Sequence, residues 1–186
     1  PDKELDVHMD HNGLNYACST CHTSMSHDIV GRKHCIPAPG SRKSALPDDD
    51  GIRISCENCH TDKPHKDYSK LDDHIEKVAC QTCHIPLIAR GGVFTQISWD
   101  WSTAGKFDEK GNPFTVEDEF KNIVYDSKKG QMSWDRSFVP EYAWYSGKMR
   151  YAVQGDSIVP GSMVFLNQPV GSYHDPASRI YPFKLH

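Results

Sequence analysis

The sequence has little apolar material for its 186 residues and no long run of it. Hydrophobic residues reach 37% and the mean hydropathy is −0.64, so side chains alone supply a thin core. No stretch approaches the ~18 consecutive apolar residues of a membrane helix, and no membrane span is expected. A basic run is lacking too: 21 Lys and Arg stand against 25 Asp and Glu, a net charge of −4, which argues against nucleic acid as a partner. No signal peptide is visible. Cysteine is absent from residue 87 onward. What is left is not a disordered composition, because charge is an ordinary 25% and aromatics are plentiful, with 4 Trp, 8 Tyr and 7 Phe. The length suits one domain or two small ones.

Six of the seven cysteines fall in three copies of one pattern, Cys-x-x-Cys-His. The copies are Cys18-Ser19-Thr20-Cys21-His22, Cys56-Glu57-Asn58-Cys59-His60 and Cys80-Gln81-Thr82-Cys83-His84. This is the attachment pattern of c-type haem. Two thiols three positions apart add to the two vinyl groups of one haem, and the next residue, histidine, is thereby held against the iron. A zinc site or a disulfide framework would account for the cysteine pairs, but not for a histidine directly after each pair. Three haems c are therefore expected on this chain. Their thioether links would run to Cys18, Cys21, Cys56, Cys59, Cys80 and Cys83, with His22, His60 and His84 as proximal iron ligands. Three large apolar discs would also supply the core that the composition lacks. Counting haem propionates, the loaded chain would carry roughly −7, which favours a cationic or neutral redox partner protein. Covalent haem attachment takes place outside the bacterial cytoplasm, so a periplasmic or extracellular location is expected.

Eight further histidines remain, at 8, 11, 27, 34, 65, 74, 174 and 186, whereas three haems take at most three distal ligands. His27 and His65 each lie five residues after a motif histidine, and the repeated offset points to distal ligation. His74, ahead of the third motif, is a further candidate. His11 and His174 read as solvated residues. Imidazole on both iron faces gives a low-spin haem of lower potential than Met/His ligation, with no vacant position for a substrate. Cys35 is left over and reads as a free, partly buried thiol; an unusual haem contact or a reactive thiol are the other readings. The tryptophans read as packing against haem faces. No lysine stands out as an iron ligand.

The fold class expected is a multihaem cytochrome c with little regular secondary structure. Short helices would surround the haems, followed by a loop-rich C-terminal half with short antiparallel strands. Two regions are expected: 1–86, carrying the three motifs, and 87–186, haem-free, aromatic-rich and packed on the haems. Residues 67–78 read as a short helix with Leu71, Ile75 and Val78 on one face. Strand-like clusters follow at 93–97, 123–125, 132–134, 142–145, 151–153 and 163–166. Lys128-Lys129-Gly130 and Ser146-Gly147-Lys148 read as hairpin turns.

Several runs resemble the octahaem tetrathionate reductase family of multihaem cytochromes c. They include Asp6-Val7-His8-Met9, the second motif with Pro64-His65, and Val78-Ala79 leading through the third motif to Ile85-Pro86. The later part adds Trp99-Asp100-Trp101-Ser102-Thr103-Ala104-Gly105, Pro140-Glu141-Tyr142 and the closing Tyr181-Pro182-Phe183-Lys184-Leu185-His186. The resemblance spans nearly the whole chain. It implies His8, His27, His65, His74 and His186 as distal candidates, some serving haems bound elsewhere. It also implies an eight-haem protein that reduces tetrathionate, nitrite or hydroxylamine at one lysine-ligated haem. No such catalytic haem is recognisable here, so the chain reads as the middle segment of a longer protein, in keeping with Pro1 as an unusual start. His34 and Cys35 depart from the family pattern.

The expected function is electron transfer through covalent haems, as part of a multihaem oxidoreductase acting on small nitrogen or sulfur oxyanions. The alternative is a non-catalytic conduit or wire subunit, and a weaker third is a structural Cys/His module. Partners would be redox proteins and the haems of adjacent segments or subunits; a homo-oligomer stays open.

Overall fold

The computed structural model describes residues 2–22 and 54–186, together with the backbone of three two-residue strands within 24–37. His27, His34 and Cys35, singled out above, lie outside the described residues. In chain order the elements are α1 (Cys18–Cys21), β1 (Ser24–Met25), β2 (Asp28–Ile29), β3 (Ile36–Pro37), α2 (Glu57–His60), α3 (Ser69–His74) and α4 (Cys80–His84). There follow β4 (Thr95–Asp100), a 3-10 turn (Trp101–Thr103), β5 (Thr115–Glu117), β6 (Ile123–Asp126), β7 (Gly130–Asp135) and β8 (Glu141–Tyr145). The last strands are β9 (Lys148–Tyr151), β10 (Asn167–Val170) and β11 (Arg179–Phe183). Short helices early and short, mostly antiparallel strands later match the fold class read from the sequence. Among the described residues no helix is long and apolar enough to cross a membrane.

The chain forms two compact units that interleave along the sequence: Pro1–Leu14, Ile85–Glu141 and Phe183–His186 make the first, Asn15–His84 and Tyr142–Pro182 the second. The first unit is built on an antiparallel sheet of order β4-β7-β6-β5. Its β6–β7 hairpin pairs Asp126 with Gly130 across Ser127–Lys129, as the Lys-Lys-Gly signal indicated. Gly130 has φ +89°, and a Cβ there would run into the Asp100 carbonyl. Only glycine admits both the turn and that close approach. Tyr125 and Met132 are buried in this sheet. The Tyr125 hydroxyl accepts from the Lys106 amide at 3.0 Å and donates to the Thr103 carbonyl at 3.3 Å. Two loops repeat one device. Asp108 accepts from the Asn112 amide at 2.7 Å, and Asp118 from the Asn122 amide at 2.9 Å, the second closing the β5–β6 connection. Those bonds hold both carboxyls below their usual range, led by the Asn112 backbone at Asp108 and by the Asn122 side chain at Asp118.

The second unit holds three short sheets of described strands, β1-β2, β10-β9-β3 and β11-β8. Here Ser146-Gly147-Lys148 does not close a hairpin, because β8 and β9 belong to different sheets. The Ser146 amide and hydroxyl both donate to the Val170 carbonyl, at 2.8 and 2.7 Å, and so pass the chain from β8 to the edge of β10. The helix expected over 67–78 ends at His74. The Lys77 and Val78 amides close a last turn on the His74 carbonyl, and Val78 then bridges Ile180 of β11 in parallel. The 163–166 cluster is not a strand; it precedes β10, with Met163 and Leu166 at 80% and 76% exposure. Buried apolar side chains are few among the described residues: Ala79, Tyr125, Met132 and Met149. The thin core foreseen from composition is therefore what the side chains provide.

Candidate haem-binding site

Each Cys-x-x-Cys-His motif forms one helical turn. In α1 the His22 amide donates to the Cys18 carbonyl at 2.8 Å; in the second motif the His60 amide donates to the Cys56 carbonyl at 2.9 Å. That turn places the cysteines at i and i+3 on one face, as a pair of thioether links to one ring requires. Asn58 stabilises the entry to α2, its Oδ1 accepting from the Ser55 amide at 2.9 Å and the Ser55 hydroxyl at 3.2 Å. Cys18, Cys21, Cys59 and Cys83 are exposed, and Cys56 and Cys80 are half-buried. Unpaired cysteine is ordinarily among the most buried residues, so outward-facing thiol pairs are arranged for a ligand rather than for packing. Among the described residues no three His, Cys, Asp or Glu side chains converge on one point. A closed zinc site needs four such donors, whereas two thiols and one imidazole suit a haem.

The second and third motifs are tied to neighbouring residues of β11. Ile180 anchors the third: its carbonyl accepts from the Ala79 amide at 2.9 Å and the Thr82 hydroxyl at 2.8 Å, and its amide donates to the Lys77 carbonyl at 2.7 Å. Arg179 anchors the second through a 3.2 Å ion pair with Glu57. Hydrogen bonding from its own backbone amide holds the Glu57 carboxyl below the usual range. Ser55 and Arg179 add to that effect, and burial works against it. The two motifs are thus held on adjacent residues of one strand. Burial pushes the Cys56 thiol up, and Cys80 pushes it further.

Between these motifs stands His65. Its ring lies parallel to that of His84, with centroids 6.2 Å apart and 12° between planes. Two imidazoles sharing one metal at about 2 Å from each nitrogen, each centroid about 1 Å further out, would stand roughly 6 Å apart. The centroid separation of the two rings falls in that range. Asp72 of α3 fixes the His65 ring: its Oδ1 accepts from His65 Nδ1 at 3.0 Å and from the His65 amide at 3.1 Å. A carboxylate only accepts, so Nδ1 carries the proton and Nε2 keeps its lone pair.

The other distal candidates are placed differently. His186 Nδ1 lies 3.1 Å from the Gln96 carbonyl, to which Lys184 Nζ also donates at 2.8 Å. His8 is exposed, with Nδ1 3.6 Å from Asp6 Oδ1. His74 is exposed at the end of α3. His11 is exposed beside Asp10, and His174 is exposed with its ring edge-on to Tyr173 at 5.3 Å. Sequence reasoning missed Asp72, Thr82, Arg179 and Ile180. Asp72 had one signal, a carboxylate seven residues from a candidate ligand; the β11 anchors had none.

A model for bacterial cytochrome c matches residues 96–186. Among solved structures, the octahaem cytochrome c from Shewanella oneidensis is similar to this chain, with 38% identity and a TM-score of 0.79. The similarity covers 99% of this chain and 38% of that one, so the chain spans well under half the length of this relative. No curated protein matches the sequence. The thiol motifs, the fold and these similarities agree: the chain belongs to the multihaem c-type cytochromes, and haem c is their cofactor.

Proposed function

We propose that this chain holds three haems c and serves as an electron relay within a larger multihaem oxidoreductase that reduces small nitrogen or sulfur oxyanions. The observation that carries the relay is the parallel His65–His84 pair, 6.2 Å between ring centroids. A haem supplies a reversible one-electron iron couple. The residues of the chain do the rest. Cys18 with Cys21, Cys56 with Cys59, and Cys80 with Cys83 tether one ring each. His22, His60 and His84 would each hold an iron, and His65 would join His84 at the third. Held by two imidazoles, that iron would take no substrate, so the residues of the third motif suit electron transfer rather than bond chemistry. Arg179 and Ile180 of β11 hold the second and third motifs on adjacent residues, where they would keep two haems in one neighbourhood. His8, His27, His74 and His186 remain distal candidates for the other irons and for haems outside this segment. Region 1–86 supplies the attachment sites, and 87–186 packs over the rings and braces them through β11. Attachment of this kind implies the periplasm or the cell exterior, and redox proteins as partners.

The same imidazole pair also suits a conduit without a substrate site, which is the second reading. Pyridine haemochrome on the denatured chain is expected to give three haems per chain; a count of zero rejects haem attachment. His65→Met is expected to raise the potential of one haem, and an unchanged redox titration rejects that ligand. For the full-length protein, methyl-viologen-linked reduction of nitrite, hydroxylamine or tetrathionate separates the two readings. No turnover of any of the three leaves the conduit.

A further inference from the structure

Asp72 goes beyond holding a loop in place. Its single Oδ1 receives both the amide and the ring Nδ1 of His65, at 3.1 and 3.0 Å, so one oxygen fixes backbone and ring together. Both groups are shielded: the side chains of His65 and Asp72 are 26% and 13% exposed. A hydrogen bond from an imidazole to a shielded carboxylate is a charge-assisted one, and it makes the remaining nitrogen a stronger donor to a metal. His186 offers a contrast within the chain. Its Nδ1 faces a neutral backbone carbonyl, and the ammonium of Lys184 shares that oxygen. The two rings are thus set up for different donor strength, one backed by a full negative charge and the other by a neutral dipole beside a positive charge.

We infer that Asp72 is a positioning residue that tunes the haem of the third motif to a low potential by strengthening His65 as its distal donor. The inference rests on the reading of His65 as ligand opposite His84. Electron density pushed toward the iron stabilises the oxidised state, so the reduced state is populated only at lower potential. In a relay this makes the third haem hard to reduce and quick to pass its electron on.

The test is a spectroelectrochemical titration of the fully haem-loaded protein with Asp72→Asn, Asp72→Glu, Asp73→Asn and His65→Met. Haem content and low-spin fraction are measured alongside, and electron paramagnetic resonance reports ligand-ring orientation. Asp72→Asn is expected to keep all haems low-spin and to favour reduction of one haem about tenfold, a rise of about 59 mV for one electron. Asp72→Glu keeps the charge and is expected to return that midpoint toward the parent value. Asp73 is exposed on the same helix and serves as the charge control, expected to leave the midpoint nearly unmoved. If His65→Met shifts one haem while Asp72→Asn shifts none, the inference falls and the ligand reading stands. If His65→Met shifts none, both fall. Equal shifts for Asp72→Asn and Asp73→Asn would also overturn it, since the hydrogen bond would then have no part.

Discussion

Thr82→Val tests whether β11 braces the third motif. Thr82 Oγ1 is one of two donors to the Ile180 carbonyl, the other being the Ala79 amide. Valine keeps the shape and β-branching and removes only the hydroxyl, and the carbonyl retains the Ala79 bond, so no buried acceptor is orphaned. The loss is then one net hydrogen bond, about 1 kcal/mol, or about a fivefold rise in local opening. Arg179→Gln cuts the ion pair to Glu57, whose side chains are 44% and 31% exposed. A pair that open to water contributes about 0.5 kcal/mol, roughly a twofold effect. Arg179 and Ile180 are adjacent, so a strand loosened at one residue holds less firmly at the next. The double variant should therefore cost less than the sum, with a coupling of about 0.5 kcal/mol.

The assay is native-state hydrogen exchange of the haem-loaded protein, read at the Ala79 and Ile180 amides. Both amides donate into this ladder, to the Ile180 and Lys77 carbonyls respectively. Exchange at the two sites should accelerate together in Thr82→Val, with little change at β6 and β7 of the other unit. Thr82→Ser restores the hydroxyl and should restore most of the protection. Unchanged protection in Thr82→Val, or an equal acceleration throughout both units, would refute the idea of a local brace.

Two more outcomes are expected. The Glu57 carboxyl titrates below its ordinary value, chiefly because its own amide donates to it, so its contribution is present above the ordinary glutamate value of about 4.3 and is lost as pH falls through the depressed one. Corrected for intrinsic exchange, opening of α2 should be flat from neutral pH down to about 5 and rise at lower pH; Glu57→Gln should flatten that rise, and a parent profile without it would count against the carboxyl's part in holding α2. Gly130→Ala places a side chain at φ +89° against the Asp100 carbonyl and should destabilise the first unit by about 2 kcal/mol or more; an unchanged thermal midpoint would reject this.

The parts of the molecule legible in the sequence are those fixed by near neighbours. Five consecutive residues close each motif turn, and the Lys128-Lys129-Gly130 signal sits inside one hairpin, so both could be read directly. The short helix was half legible. Leu71 and Ile75 do carry a helical period, but Val78 is drawn into the bridge with Ile180, which nothing nearby announces. Met163–Leu166 has strand composition without alternation, and composition alone did not make it a strand. At the candidate site, the offset singles out His65, whereas the bond from its ring to Asp72 follows from the turn into α3 and has only a weak sequence signal. The anchors of α4 and α2 lie 98 and 122 residues away from them, beyond any local pattern.

That separation bears on how the two motifs keep their spacing. The connection from His60 to Cys80 contains His65 and Asp72, and a free connection of that length would let the two thiol turns drift. Fixing it from both ends through β11 removes the drift. Closing a loop of about a hundred residues sounds costly, yet the entropic cost grows only with the logarithm of length, about 0.6 kcal/mol for each doubling. A distant strand is therefore nearly as cheap a brace as a near one, and a strand has an advantage that a loop lacks. Its successive residues stand at a fixed rise of about 3.3 Å, so Arg179 and Ile180 set a spacing between the motifs that thermal motion changes little. Electron passage between haems depends steeply on separation, which makes a rigid spacer functionally valuable.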